Sequence, residues 1–133
     1  MAAVVIDASA VVEIFIAQEP DPRLRRRVMV DDLAAPEVLD TEVLNVLRRL
    51  ERAGRLSTEL ATRAAERLAD APIVRTTHRP LIRPMWELRN SVTAYDAAYI
   101  ALAEELGVPL LTCDAKLARS HGHSAKIEFF ASE

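Results

Sequence analysis

Lysine is almost missing from this chain. Among its 17 basic side chains only Lys116 and Lys126 are lysines, and the rest are arginines. Cysteine occurs once, as Cys113, which excludes an internal disulfide framework and fits a reducing compartment. Glycine occurs three times, as Gly54, Gly107 and Gly122, so no glycine-rich loop is present to cradle a nucleotide phosphate. No apolar run reaches the roughly 18 residues of a membrane span. No basic segment leads into an apolar run at the amino terminus, so a cytoplasmic protein with no membrane association is expected. The net charge of −3 excludes a molecule that binds nucleic acid through its overall field. The bias toward arginine leaves local contacts open, because a guanidinium can fork onto phosphate and stack on bases.

What remains is enough for a packed core. The 133 residues fit one domain, 1–133, with half of them hydrophobic and 28% charged. At this length folding buries roughly two-thirds of the unfolded surface, so no disulfide or structural metal is needed for stability. Short apolar runs alternate with segments of helical periodicity. Strands are expected at 3–6, 33–35, 72–74 and 108–112, with an edge strand at 127–130. Helices are expected at 10–17, 23–30, 37–53 and 57–69, in a segment beyond Pro84, at 93–106 and at 115–119. The helix over 37–53 carries an apolar stripe of Leu39, Val43, Val46, Leu47 and Leu50 and is closed by Gly54. This alternation predicts an α/β fold with a short parallel sheet of four to five strands flanked by helices.

Four acids stand out against that frame. Asp7 and Asp114 follow the apolar runs Val4-Val5-Ile6 and Leu110-Leu111. If these runs are parallel strands, both carboxylates project beyond the carboxyl edge of one sheet, where open α/β sheets bind ligands. Each could equally cap the helix that follows it. Asp96 shares a helical arc with Ile100 and Ala103, with no cation three or four positions away. A carboxylate there should be neutral, or should have a cation brought to it from elsewhere. Thr93 and Asp96 also have capping-box spacing, a structural alternative. Glu42 sits at the margin of its helix's apolar stripe, open to either a solvated or a site role. Four carboxylates without lysine or histidine among them favour a hard divalent cation, Mg²⁺ or Mn²⁺, over zinc.

The segments Val-Val-Ile-Asp-Ala-Ser-Ala at the amino terminus, 36–49 with Glu42, Thr93-Ala94-Tyr95-Asp96-Ala97-Ala98-Tyr99 and Leu111-Thr112-Cys113-Asp114 resemble the PIN-domain family in order and spacing. The likeness is closest to VapC-type toxins and covers essentially the whole chain. It implies a PIN-like fold and an acidic pocket of Asp7, Glu42, Asp96 and Asp114 holding Mg²⁺ or Mn²⁺. It also implies that Ser9, Thr93 and Thr112 support the pocket through hydrogen bonds. The implied activity is metal-dependent endoribonuclease cleavage by the toxin of a toxin–antitoxin pair, with RNA as substrate. A cognate VapB-type antitoxin and a homodimer are the implied partners. Arg23, Arg25, Arg26, Arg27 and Arg89 are candidate RNA contacts, since an acidic pocket would otherwise repel the phosphate backbone.

Competing classes fit less well. A receiver-type phosphoacceptor domain would pair two acids after the first strand, whereas Ala8 and Ser9 follow Asp7. An Asp-x-Asp phosphatase fails at the same place, because position 9 is serine. A non-catalytic binding module of PIN-like fold is the remaining alternative, and loss of an acid would have favoured it.

Overall fold

The computed structural model describes residues 3–133. Strand β1 (Ala3–Ile6) leads directly into helix α1 (Ala8–Ile16), and α2 (Pro22–Val30) follows after a short turn. Strand β2 (Asp32–Pro36) precedes two amphipathic helices, α3 (Val38–Arg52) and α4 (Thr58–Asp70). Strand β3 (Ile73–Thr76) is followed by a 3₁₀ turn (Arg79–Leu81) and the short helix α5 (Ile82–Glu87). Helix α6 (Ala94–Leu106), β4 (Leu110–Thr112), α7 (Ala115–Ala118) and β5 (Ile127–Phe129) complete the order.

The five strands form one parallel sheet in the order β3-β2-β1-β4-β5, with β5 at an edge as expected. Val4, Val5 and Ile6 of β1 and all of β4 are buried, as central parallel strands covered on both faces require. Helix α6 contributes an unbroken buried run from Ala97 to Ala103 and packs on β1 and β2. Helices α1, α3 and α4 pack on one another, with Leu39, Val43 and Leu47 of α3 buried and Val46 and Leu50 at the margin of the core.

Two expectations need correction. Helix α5 begins at Ile82, ahead of Pro84. Pro84 is its third residue, and the first turn of a helix has no intrahelical acceptor for its N–H groups, so the missing donor does no harm there. Strand β4 begins at Leu110 and not at Val108. Pro109 offers only its carbonyl, which accepts from Val5 N–H at 2.9 Å, and it has no N–H to extend the ladder.

The register brings the site together. Val5 pairs with Leu110 and Ile6 with Leu111 in parallel strands, so the residues after Ile6 and Leu111 emerge side by side at the same carboxyl edge.

Candidate active site

Asp7 is the first residue beyond β1 and is buried. Its backbone N–H donates to Leu111 carbonyl at 3.1 Å, which holds it level with the end of β4. One carboxylate oxygen accepts from Ser9 Oγ at 2.7 Å and from Ala10 N–H at 3.0 Å; the other accepts from Thr112 Oγ1 at 2.5 Å. Asp7 is therefore the N-cap of α1 and a member of the acidic cluster at once. Burial is the main reason its pKa rises from 3.8 to about 6, opposed by these hydrogen bonds and assisted by repulsion from Asp114.

Ser9 and Thr112 tie the two strand ends to each other. Ser9 Oγ accepts from Cys113 N–H at 2.9 Å, and Thr112 Oγ1 accepts from Asp114 N–H at 3.0 Å. The two hydroxyls lie 3.2 Å apart. Thr112 is completely buried, so its hydroxyl is committed to this network. Cys113 lies in the same turn, but burial first and the charge of Asp7 second push its thiol up to about 12. It stays protonated at neutral pH and is no nucleophile.

Asp114 caps α7, accepting from Lys116 N–H at 2.9 Å. Thr93 caps α6 by accepting from Asp96 N–H at 3.2 Å. Only this half of a capping box forms. Among the described residues the Asp96 carboxylate accepts no hydrogen bond, and it faces a cleft between the loops around Ser91 and Arg119. Its pKa is raised, first by burial and then by Asp114, while the charge of Lys116 opposes the rise. Glu42, half-buried in α3, also has its pKa raised by burial and by Asp96. Its carboxylate accepts from Tyr99 Oη at 2.6 Å. Tyr99 in turn has its pKa raised by its buried position and by the charges of Glu42, Asp7 and Asp96, so it remains a donor.

The four acids thus reach one region from the end of β1, from α3, from the first turn of α6 and from the turn after β4. Asp7 and Asp96 each feel the charge of Asp114, and Glu42 feels that of Asp96. Among the described residues no three of them close around one point at ligand distance. Their chemistry nevertheless suits a hard divalent cation: every donor is a carboxylate oxygen, and a cation would relieve the repulsion that raises the carboxylate pKa values.

Two residues at this site were not singled out by the sequence. Tyr99 is 57 positions from Glu42, and no helical or strand period links them. Lys116 is brought to Asp96 by the turn between β4 and α7, so the cation missing from α6 comes from another element. The arginine candidates divide. Arg23 pairs with Asp21 at 2.9 Å, and Arg27 pairs with Asp31 at 2.7 Å and with Glu128. Arg25 and Arg26 are exposed on α2. Arg89 alone of the five lines the cleft that contains Asp96.

Comparison with known proteins agrees with this geometry. The PIN domain family model matches residues 4–121. Ribonuclease VapC12 of Mycobacterium tuberculosis is 37% identical over 128 residues, covering 96% of this chain and 99% of that protein. Ribonuclease VapC1 of the same organism is 39% identical over 126 residues, covering 93% and 95%. A crystal structure of VapBC-5, a member of the VapBC family of toxin-antitoxin systems from Mycobacterium tuberculosis, superposes with a TM-score of 0.59 at 24% identity, covering 98% of this chain and 99% of that one. That likeness concerns the fold. The matched domain and the level of identity over nearly the whole length place the chain in the PIN-domain family, among the VapC ribonucleases.

Proposed function

We propose that residues 1–133 act as one PIN-like domain, a metal-dependent endoribonuclease serving as the toxin of a toxin–antitoxin pair in the cytoplasm. The observation that carries this reading is the convergence of Asp7, Glu42, Asp96 and Asp114 on one region, with the pKa values of Asp7 and Asp96 raised by burial and by Asp114, and that of Glu42 by burial and by Asp96. All four acids would hold Mg²⁺ or Mn²⁺. When bound, the cation supplies charge neutralisation at the phosphate and acidifies water. Asp7, fixed by Ser9, Thr112 and Ala10 N–H, is the rigid member of the set. Asp96, to which no described residue donates, and Glu42, held by Tyr99, are the two carboxylates available to orient the attacking water and take its proton. As the water oxygen bonds to phosphorus, the bond from phosphorus to the leaving ribose oxygen breaks.

A non-catalytic assembly module is disfavoured, because no acid is lost and the relatives quoted above are named ribonucleases. The partner in this reading is a VapB-type antitoxin. A largely apolar groove of about 430 Å³ runs between α1, α2 and α4, lined by Val11, Ile14, Phe15 and Val28, with Arg63, Glu66, Arg67 and Asp70 of α4 adding charges of both signs. It offers a bed for the apolar face of an antitoxin segment. A homodimer belongs to the same reading, and light scattering of the purified chain checks it by mass. No helix among the described residues is long and apolar enough to cross a membrane. The test of the reading is cleavage of single-stranded RNA with added Mg²⁺ or Mn²⁺ and its loss in excess chelator. Undiminished cleavage by the metal-stripped protein would sink it.

A further inference from the structure

The cleft that ends at Asp96 has a second character. It encloses about 830 Å³ between the loop joining α5 to α6 and the segment running through α7 into the following loop. Arg89 lies on one wall, Lys116 and Arg119 on the other, and all three side chains are exposed. Among the described residues none of the three forms a salt bridge, in contrast to Arg23 and Arg27 of α2, which spend their charge on neighbouring carboxylates.

The walls are held in place by local contacts. Arg89 is held at its guanidinium, which donates from Nη1 to Trp86 carbonyl at 2.9 Å and lies 4.6 Å from the indole centroid, leaving its other N–H donors for a ligand. On the other side Gly122 adopts φ +87° and lies so close to Ser91 that a Cβ would sit 2.5 Å from Ser91 Oγ. The positive φ favours glycine there, and the lack of a side chain lets the two loops approach without turning the Ser91 hydroxyl aside. Ser120, at the turn between them, donates to Leu117 carbonyl at 2.7 Å and lies 2.8 Å from His123 Nε2.

We infer that this cleft is the track for the phosphodiester backbone of the single-stranded RNA substrate, with Arg89, Lys116 and Arg119 as phosphate-positioning residues. The inference rests on the ribonuclease reading of the acid cluster and gives that cluster its route of approach. Arg89 and Arg119, which form no salt bridge among the described residues, and Lys116, whose charge reaches Asp96, together provide beside an acidic site the attraction that the acids deny to a phosphate chain. Asp96, alone of the four acids, lines the cleft, so the strand's path reaches the cluster at Asp96. The α2 arginines occupy no such position: none of them lines this cleft.

The experiment measures binding and chemistry separately. Binding is followed by fluorescence anisotropy of a labelled single-stranded RNA 12-mer in excess chelator, across a salt series, using the intact chain. Each phosphate contact on a single strand adds about 0.7 to the slope of log affinity against log salt. The Arg89→Ala/Lys116→Ala/Arg119→Ala variant should lower the slope by about 2 and weaken binding by roughly a hundredfold or more at 50 mM salt. In the metal-supplemented cleavage assay KM should rise more than kcat falls. Arg119→Glu alone should give a partial loss, and it keeps the test intact if the triple variant melts early. Arg55→Ala, exposed and away from both loops, is the control for nonspecific loss of charge. An unchanged salt slope in both cleft variants overturns the inference, as does transfer of the loss to an Arg25→Ala/Arg26→Ala variant. Loss of antitoxin affinity with RNA affinity intact would also overturn it, making the cleft a protein-binding surface. If the unaltered chain binds RNA through the cleft yet cuts none with metal, the cleft inference survives and the ribonuclease reading fails.

Discussion

Asp7 serves the fold and, in the proposed function, the chemistry as well. It caps α1 and sits under Ser9 and Thr112, yet its burial raises its pKa to about 6. In the metal-free protein its ionised form is therefore a burden on stability. A rise from 3.8 to about 6 corresponds to roughly 3 kcal/mol against folding above the folded-state pKa. The sign follows from proton binding: between about pH 4 and 6 the folded state holds more protons than the unfolded chain, so stability falls as pH rises through that window. Asp7→Asn should raise the apo melting temperature at pH 7.5, and the advantage should shrink as pH drops toward 4. Thermal melts of both proteins across pH check this. The network tolerates the change, since an asparagine oxygen keeps Ser9 and Ala10 N–H while its amide can donate to a turned Thr112 hydroxyl. Tyr99→Phe tests the other support. The ring stays in the core, only the bond to Glu42 is lost, and stability should change by about 1 kcal/mol. RNA cleavage should fall by more than the melt shift explains, because Glu42 is no longer held. The acids are legible in the sequence because each follows an apolar strand or sits on or beside an apolar helical stripe, although Asp7 and Asp114 have a local role as helix caps too, and both fill it. Tyr99 and Lys116 are not, because their partners lie on other elements and only the assembled fold brings them near.

At the scale of elements, the central ones declared themselves and the boundaries did not. Helix α6 is bounded by Thr93 at one end and by Gly107 at φ +67° at the other, both readable as stop signals. Gly107→Ala has open space for its methyl but an unfavourable backbone conformation, so it should cost about 1 kcal/mol and leave RNA cleavage unaltered. Denaturant titration with a parallel cleavage assay checks both halves. Pro84 does not mark the start of α5, because the first helical turn accepts a proline. The start of β4 was misplaced because Val108 and Pro109 share the apolar character of the strand without its ladder bonds. Of the four α2 arginines named as candidate RNA contacts, Arg23 pairs with Asp21 two positions away and Arg27 with Asp31 four positions away, both local pairings, whereas the contact of Arg27 with Glu128, on a strand 101 positions away, appears only in the fold.

For the whole molecule, a parallel sheet and its helices gather acids from four elements on one region and leave an apolar groove between α1, α2 and α4. The proposed antitoxin would use both features. Its apolar residues would fill the groove, and a basic side chain would satisfy Asp7, Asp96 and Asp114 in place of a metal. Replacing the basic residues of its tail with alanine should then release cleavage while the tail stays bound; unchanged inhibition would leave steric masking as the mechanism. The central claim is that the carboxylate cluster is a metal-requiring centre for RNA hydrolysis. Its most direct measurement is a Mn²⁺ titration of single-stranded RNA cleavage by the unaltered protein and by Asp96→Asn, with melts confirming that both are folded. The account predicts saturable, chelator-reversible cleavage by the unaltered protein and at least a hundredfold less by the variant (on the order of 3 kcal/mol at the transition state). Equal cleavage by a folded Asp96→Asn protein would contradict it.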